Sequence, residues 1–338
     1  LANLKNDILV ALPSERSREY GQKFCFNSKS YANSGGYKSG SNDKTINQKI
    51  EIILQQLPYN QLLQKVKKYQ NSNSEKIRII DTPIQVKSGE VLRIEGGEIW
   101  LFGENASLEV KGTLIIDGDR NNPVILGPLE GKWPGLIING SNSKNIINHS
   151  FLFGVKASPG RFGAISLEHS SLRIRNSILL DLSGADGLNV HKSDFYVSNS
   201  ILGVAKSDII DTDFSSGEVS NSIFFKSNGD YIDLNQSNFV IKGNVLINSF
   251  VGFGLGDPDK GISCGEKSFC NIKNNYFQNL TFGVAIKDGS FSNVSRNYFH
   301  SNMLGIAQFV KKSWFGKPNV KLNENNYYNN CENTADLG

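Results

Sequence analysis

A six-residue pattern recurs along most of the chain at a nearly constant interval. It consists of an aliphatic residue, two variable residues, Ser or Asn, and two apolar residues, as in INHSFL at 147–152 and VSNSIL at 197–202. The Ser or Asn position falls at Ser150, Ser177, Ser200, Ser222, Asn244, Asn275 and Asn297. The steps are 27, 23, 22, 22, 31 and 22 residues. A period this regular indicates a repeat protein, in which each unit packs only against its neighbours.

A second unit keeps the same phase, as in GLNVHKS at 187–193 and YIDLNQS at 231–237. Each period therefore contains two or three short strands of alternating apolar residues, joined by Gly, Asn and Ser turns. At about 3.3 Å per residue, 22 residues make one coil of three strands, which is too short for a helix-containing repeat. The sequence predicts an all-β parallel β-helix, and the 33 glycines and single methionine agree with a turn-rich β protein.

Residues 86–330 resemble the secreted right-handed parallel β-helix repeat proteins of the pectin-lyase-like superfamily. The likeness rests on Asp186-Gly187-Leu188, on DKGISCGEKS at 259–268 and on GVAIKDGS at 283–290. It also includes the opening coils, with LRIEGGEIWLFGE and WPGLII. The resemblance implies a right-handed solenoid and a bacterial protein that is secreted, periplasmic or on the cell surface. The superfamily contains lyases, hydrolases, epimerases, esterases and non-catalytic adhesins, so the fold does not decide the function.

We expect two parts, residues 1–85 as an N-terminal extension with a small helical cap and residues 86–338 as the β-helix. Within 45–69, apolar residues occur at helical spacing before and after Pro58. These residues are Ile46, Ile50, Ile53, Leu54, Leu57, Leu62, Leu63 and Val66. A helical cap would cover the strand edges that an open first coil exposes.

Several features restrict the class of protein. No run of eighteen apolar residues is present, so the chain contains no predicted membrane span. The sequence begins at Leu1, which indicates either a removed signal peptide or anchor, or a trimmed chain. The net charge of +4 is dispersed, and the face described below is acidic, which argues against nucleic acid as a partner. Cys264 and Cys270 flank a turn and point inward, either as a disulfide or as two small buried residues.

Aspartates occur at equivalent positions of successive coils. Alternation turns Leu188, Ile210 and Ile232 inward, so that Asp211 and Asp233 face outward about 4.8 Å apart on neighbouring strands. Asp213 lies two residues farther along the same face. Mid-strand aspartates are disfavoured and like charges at this distance are costly, which indicates a functional site. A further column at the strand entrances is interpreted as turn residues that bond the backbone: Asp186, Asp208 and Asp230.

The predicted catalytic residues are Asp211, Asp213, Asp233 and His191, the last as a proton carrier or else a bystander. The diagonal pair Asp213/Asp233, at about 8 Å, suits an inverting glycosidase. Hard oxygen ligands also predict a weak calcium site. Its ligands would be Asp211, Asp213, Asp233 and Asp257, the last contributed by the long insertion before residue 260.

Residues near this face are predicted to contact a glycan. They are Arg161, Glu168, Asn189, Tyr231, Asn235, Lys260, Lys287 and Trp314. A solvated surface position is the other interpretation of Arg161, Lys260 and Lys287. Trp314 either stacks on sugar rings or packs over the last coil.

We therefore predict an exported protein that acts on a polysaccharide or cell-surface glycan, expected to be acidic. The chemistry would be hydrolysis or calcium-assisted elimination, so that an enzyme of this kind is a polysaccharide hydrolase or lyase. The aspartate rows are similar to those of polygalacturonases, although Lys260 and Ala285 stand where that family has His and Arg. The alternative is a non-catalytic glycan-binding or cell-surface β-helix module.

Overall fold

A computed structural model describes residues 76–248 and 260–338. These residues wind into a parallel β-helix with three sheets, which confirms the fold predicted from the repeat. Parallel crossover connections are almost always right-handed, in agreement with the expected hand. The segment 45–69, which the sequence predicts to be a helical cap, lies outside the described residues, as does Asp257. Within the described ranges, no helix has the length and apolar character needed to cross a membrane.

Each coil contributes one strand to each sheet, and strands three apart in sequence are neighbours. Sheet 1 consists of β1 (Ile77–Ile80), β4 (Ile99–Phe102), β7 (Val124–Pro128), β10 (Ser150–Lys156), β13 (Ile178–Ser183), β16 (Ile201–Ala205), β19 (Ile223–Ser227), β22 (Val245–Ile247), β25 (Tyr276–Gln278), β28 (Tyr298–His300) and β31 (Asn326–Tyr328). Sheet 2 consists of β2 (Ile84–Val86), β5 (Leu108–Val110), β8 (Leu136–Asn139), β11 (Gly163–Glu168), β14 (Asp186–His191), β17 (Asp208–Asp213), β20 (Ile232–Asn235), β23 (Lys260–Gly265), β26 (Phe282–Lys287), β29 (Leu304–Phe309) and β32 (Glu332–Asp336). Sheet 3 consists of β3 (Val91–Glu95), β6 (Thr113–Asp117), β9 (Lys144–Asn148), β12 (Ser171–Arg175), β15 (Asp194–Ser198), β18 (Ser216–Ser220), β21 (Asn238–Lys242), β24 (Phe269–Lys273), β27 (Phe291–Ser295) and β30 (Asn319–Asn323). One short 3₁₀ helix, Ser313–Phe315, lies between β29 and β30.

The interior is a continuous apolar column of stacked equivalent residues. Leu188, Ile210 and Ile232 pair in register on β14, β17 and β20, and none is more than 1% exposed. Aromatic rings stack in the same way, with the Phe277 and Phe299 ring centroids 4.8 Å apart. The inward positions predicted from alternation are thus confirmed in these coils.

Two polar ladders run through the turns. In the first, the Ser or Asn of the repeat lies between sheets 3 and 1, and its side-chain oxygen accepts a hydrogen bond from the backbone N–H of its counterpart one coil earlier. Ser150 N–H donates to Ser177 Oγ at 3.1 Å, and Asn275 N–H donates to Asn297 Oδ1 at 2.9 Å. The residue before each ladder position adopts positive φ, as Asn199 does at 48°. The second ladder, between sheets 2 and 3, consists of Ser141, Ser170, Ser193, Ser215, Ser237, Ser268 and Ser290.

Cys264 and Cys270 form a disulfide, with their Cα atoms 6.5 Å apart. The bond joins β23 to β24 across the turn between sheets 2 and 3. Both residues are fully buried in the column. Of the two interpretations that the sequence left open, the disulfide is confirmed.

The ladder predicts the effect of Ser222→Ala. Ser222 Oγ accepts from the Ser200 N–H at 3.1 Å and donates to the Ser220 carbonyl at 2.8 Å, and the residue is fully buried. Alanine leaves both backbone groups without this partner, so the free energy of unfolding should fall by about 1–3 kcal/mol. Urea denaturation measures the change. The control is Ser171→Ala, at a partly exposed position on the outer face of sheet 3. It should lower the free energy of unfolding by less than about 0.5 kcal/mol. Equal losses in both variants would contradict the role of the ladder.

Candidate functional site

The corner between sheets 1 and 2 determines which aspartates come together. At this corner two consecutive residues, Ile209 and Ile210, both point into the apolar interior and are fully buried. Strict alternation therefore fails here, and Asp208 faces the same side of sheet 2 as Asp211. The next coil repeats the arrangement, with Tyr231 and Ile232 inside and Asp230 and Asp233 outside.

The sequence shows this arrangement as two aspartates three residues apart in each coil, at Asp208/Asp211 and at Asp230/Asp233. One coil earlier the equivalent pair is Asp186/Asn189. From the sequence alone, the first member of each pair is predicted to be a turn residue. Asp208 does play that part, since its Oδ1 accepts the Asp230 N–H at 2.7 Å. It is in addition a member of the outward-facing cluster.

Three carboxylates converge on sheet 2. Asp208, Asp211 and Asp233 each place one oxygen within 4.8 Å of the oxygens of the other two. Asp211 and Asp233 are directly paired on β17 and β20, as predicted. We call these three residues the aspartate cluster.

Two amides hold the cluster in place. Asn189 Nδ2 donates to Asp186 Oδ2 at 3.0 Å and to Asp211 Oδ2 at 3.2 Å. Asn235 Nδ2 donates to Asp233 Oδ2 at 3.2 Å and, more weakly, to Asp211 Oδ1 at 3.4 Å. Both asparagines were predicted to bind substrate, and the structure places both against the carboxylates.

Burial keeps protons on part of this site. Desolvation, reinforced by the neighbouring carboxylates, raises the pKa of Asp208 to about 8 and that of Asp211 to about 9. Desolvation likewise raises the pKa of Asp186 to about 6. At neutral pH Asp211 is therefore a neutral acid, which can donate a hydrogen bond or a proton.

Two lysines balance the remaining charge. Lys260 Nζ contacts both oxygens of Asp230, at 2.9 and 3.0 Å, below the surface of the sheet. Lys287 Nζ lies 3.6 Å from Asp233 Oδ1, and this oxygen accepts no hydrogen bond from any residue that the structure describes. Asp233 is thus a carboxylate with an adjacent cation and an unsatisfied oxygen. Neither lysine is a solvated surface residue.

A second group lies along the same face. His191 is paired in register with Glu168 on one side and with Asp213 on the other. Desolvation raises the pKa of Asp213, and His191 opposes this shift. Glu168 Oε1 is 3.9 Å from His191 Nδ1, and together with His169 these residues offer ligand atoms within 4.8 Å of one another.

Asp213 is not part of the aspartate cluster, although sequence analysis grouped it there. It lies two residues beyond Asp211 on the same strand, a separation of about 6.6 Å. Asp208 takes its place because of the corner geometry. The candidate set of clustered oxygens is therefore Asp208, Asp211 and Asp233.

Tyr231 and Trp314, both predicted from the sequence to contact a glycan, differ in exposure. Tyr231 does not face a substrate, because it is the second inward residue at the corner, fully buried, and its hydroxyl donates to the Ile247 carbonyl at 2.8 Å. Trp314, in the 3₁₀ helix, is 75% exposed and does not pack over the last coil. Its exposure is compatible with the stacking interpretation.

An open groove of about 670 Å³ extends this face toward the first coils. Its walls carry charges of both signs, from Glu104, Glu109, Lys111, Lys156 and Arg161. Arg161 Nη1 contacts Glu168 Oε2 at 3.1 Å, so the groove adjoins the row of Glu168, His191 and Asp213. Sheet 2 thus presents a continuous polar surface several strands long.

No protein family and no curated protein matches the sequence. Among solved structures, a periplasmic alginate epimerase is similar at 12% identity, with a TM-score of 0.42 over 79% of this chain and 80% of that one. An alginate lyase from Paenibacillus is similar at 13% identity, with a TM-score of 0.39 over 76% of this chain and 99% of that one. A surface adhesin of Streptococcus pneumoniae is similar at 11% identity, with a TM-score of 0.37 over 76% of this chain and 81% of that one. Likeness at this level concerns the fold alone.

The raised pKa of Asp211 predicts a pH-dependent effect of Asp211→Asn. Between about pH 4, where the unfolded carboxyl titrates, and pH 9, the native state binds a proton that the unfolded state has released. The stability contributed by this group is therefore fully present below pH 4 and is lost as pH rises toward 9. Asparagine does not ionise, so the variant should gain in Tm over the wild type at pH 8 and much less at pH 5. Each kcal/mol gained in the free energy of unfolding should raise the Tm by about 2–4 °C. Asp81→Asn, at an exposed position, is the matched control and should show no such trend.

Proposed function

We propose that the protein is an exported, polysaccharide-active β-helix that hydrolyses glycosidic bonds of an acidic glycan at Asp211 and Asp233. The observation that carries this proposal is the contrast between two adjacent carboxyls. Asp211 holds its proton at neutral pH, while Asp233 lies beside the ammonium group of Lys287. A neutral acid next to a charged carboxylate is the pair that glycoside hydrolysis requires.

In the proposed reaction, Asp211 donates its proton to the glycosidic oxygen as the bond to the anomeric carbon breaks. The carboxylate of Asp233 attacks that carbon and forms a glycosyl ester. Asp211, now a carboxylate, takes a proton from water, whose oxygen displaces Asp233 and restores both groups. Asn235 donates to both carboxyls and keeps their spacing.

The separation of the two carboxyls favours retention of configuration. One oxygen of each carboxyl lies within 4.8 Å of the other, which is below the separation of about 6.5–9.5 Å that inverting enzymes need and agrees better with the roughly 5–5.5 Å of retaining enzymes. The longer diagonal from Asp213 to Asp233 is the inverting alternative that was predicted from the sequence.

The groove favours an acidic glycan, because its three cations outnumber Glu104 and Glu109. The cations are Lys111, Lys156 and Arg161, and such groups can pair with uronate or sulfate. The exposed Trp314 is available to stack on a sugar ring.

The test begins with a panel of acidic and neutral polysaccharides, followed by reducing-end assays on purified variants. Asp211→Asn and Asp233→Asn should each lower kcat by about 100- to 10,000-fold, because each removes one half of the acid–nucleophile pair. Asp194→Asn, on the outer face of sheet 3, is the control and should retain full activity.

Asp213→Asn separates the two stereochemical alternatives. It should keep most of the activity if Asp211 and Asp233 form the pair, and proton NMR should show a first-formed anomer of retained configuration. Loss of activity in Asp213→Asn together with an inverted product would show that Asp213 and Asp233 are the reacting pair. Full activity in both Asp211→Asn and Asp233→Asn would refute the proposal.

A second candidate, calcium-assisted elimination, is favoured by the three oxygens of the aspartate cluster. The donor set fits a hard cation, since Asp208, Asp211 and Asp233 all contribute carboxylate oxygens and Asp233 Oδ1 lacks a hydrogen bond from the described residues. These three residues would hold the ion, which when bound would neutralise a uronate carboxylate. Lys287, adjacent to the cluster, would as a free amine take the proton from the carbon next to that carboxylate. The C–O bond at the following carbon would break, and the glycosidic oxygen would leave with a proton from water.

This candidate predicts a pH-dependent calcium affinity. Binding must displace the protons of Asp208 and Asp211, so the affinity should rise steeply from pH 6 to pH 9. Calorimetry on chelator-stripped protein measures it, and Asp208→Asn should weaken the heat far more than the control Asp194→Asn, on the outer face of sheet 3. No heat at millimolar calcium, with activity unaffected by chelator, removes this candidate and leaves hydrolysis. A glycan that raises the Tm without any turnover would instead support the non-catalytic module.

A further inference from the structure

Two imidazoles and one carboxylate come together where sheet 2 turns toward sheet 3. Glu168 ends β11, His169 follows it in the turn, and His191 ends β14. Each residue offers one ligand atom, and these three atoms lie within 4.8 Å of one another. We call these residues the histidine cluster. Its nitrogen ligands distinguish it from the aspartate cluster, which offers oxygen alone.

The backbone of the turn brings the three side chains to the same place. Glu168 and His191 are paired in register on neighbouring strands, so their outward side chains lie side by side. His169 adopts a positive φ of 46°, and its backbone N–H donates to the His191 carbonyl at 3.1 Å. Strict alternation would turn His169 away from the side of Glu168, and the positive φ breaks that alternation. The strand pairing and this hydrogen bond therefore fix the backbone of all three residues.

The side chains leave their ligand atoms available. Glu168 Oε2 accepts a hydrogen bond from Arg161 Nη1 at 3.1 Å, which orients the carboxylate. Glu168 Oε1 lies 3.9 Å from His191 Nδ1, too far for a hydrogen bond. Neither imidazole makes a hydrogen bond with any residue that the structure describes. A carboxylate that is held through one oxygen and presents the other to an imidazole is typical of a metal ligand with an outer-shell partner.

The dimensions of the cluster suit a small transition-metal ion. With bonds of about 2.0–2.2 Å, the ligand atoms of a tetrahedral zinc site lie roughly 3.3–3.6 Å apart. The atoms of the histidine cluster reach that separation from 4.8 Å or less by side-chain movements of about 1–1.5 Å. An ion could enter from solvent, because the side chains of His191 and Glu168 are 32% and 34% exposed.

We propose that Glu168, His169 and His191 bind a divalent transition-metal ion, with zinc as the best match, and leave one coordination position open. Two histidines and a glutamate are a known ligand set of zinc sites whose fourth position takes water or another small ligand. Asp213 is paired in register with His191 on its other side, where a carboxylate can orient a ligating imidazole. This centre goes beyond the proposed hydrolysis, which uses Asp211 and Asp233.

An ion pair between Glu168 and a protonated His191 accounts for less of the arrangement. Glu168 already has Arg161 as a cationic partner at hydrogen-bond distance. An ion pair would also give no part to His169, whose imidazole lies with its centroid 5.9 Å from that of His191. Imidazole ligands favour zinc, copper or nickel over calcium, so the metal preference separates this site from the aspartate cluster.

Calorimetry with zinc chloride on the full, untagged, chelator-stripped chain tests the proposal. The wild type should bind one zinc ion per chain, and zinc should raise its Tm, because the ion binds the native state. His169→Asn and Glu168→Gln should each weaken the affinity at least about 10-fold, since even loss of an outer-shell partner costs about 10- to 100-fold. Asparagine tolerates positive φ and glutamine keeps the shape of Glu168, so both variants should fold.

The matched control is His149→Asn. His149 also has a positive φ, of 43°, but lies outside the histidine cluster. This variant should bind zinc as the wild type does and show the same rise in Tm. Asp211→Asn should likewise keep the zinc site, because Asp211 belongs to the aspartate cluster. Thermal melts without zinc verify that each variant is folded.

Three outcomes would overturn the proposal. The first is the absence of saturable zinc heat in the wild type at millimolar zinc. The second is equal zinc affinity in the wild type, His169→Asn and Glu168→Gln. The third is zinc binding that is lost in Asp211→Asn and kept in His169→Asn, which would assign the ion to the aspartate cluster. None of these measurements depends on turnover, so failure here would leave the proposed hydrolysis untouched.

Discussion

The register between coils depends on side chains that bond the backbone of the adjacent coil at each turn. Ser177 accepts the N–H of Ser150, and Ser200 accepts that of Ser177, with the same bond repeated at every coil of the ladder. These donors are fully buried, so a shifted coil would leave them unpaired at about 1–3 kcal/mol each. A shift by one residue would also exchange the inner and outer faces of every strand. The ladders therefore fix the face on which each side chain lies.

The same register brings like charges together on sheet 2. Because Ile210 stacks on Ile232, Asp211 must lie beside Asp233, although the two carboxylates would repel each other if both were charged. The structure reduces this cost in two ways: Asp211 keeps its proton, and Lys287 stands next to Asp233. The amide of Asn235 links the two carboxyls. A site that combines a neutral acid, a charged carboxylate and a nearby cation thus follows from the stacking of coils and from the residues at three outward positions.

The sequence predicted the fold and most of the outward row, because both follow from a simple period. The turn Ser and Asn mark each coil, and alternation assigns Leu188 inward and Asn189 outward correctly. It failed at the corner of sheets 1 and 2, where the chain changes direction and two residues in succession point inward. Tyr231 therefore proved to be a core residue and Asp208 a member of the cluster. A simple alternating pattern does not predict that bend. The sequence does show its consequence, because pairs of aspartates three residues apart recur in two successive coils.

Because the interior is filled, any binding in this molecule must use an outer face, and the three faces differ. The outward side chains of sheet 1 are apolar and buried. Sheet 3 carries isolated pairs such as Arg173 over Tyr196, whose guanidinium lies 4.6 Å from the ring centroid. Only on sheet 2, among the described residues, do three carboxylates share one small volume, and there they continue into a groove. The choice of face therefore follows from which outward residues the solenoid buries, and a long polymer would meet carboxylates on one side of the solenoid alone.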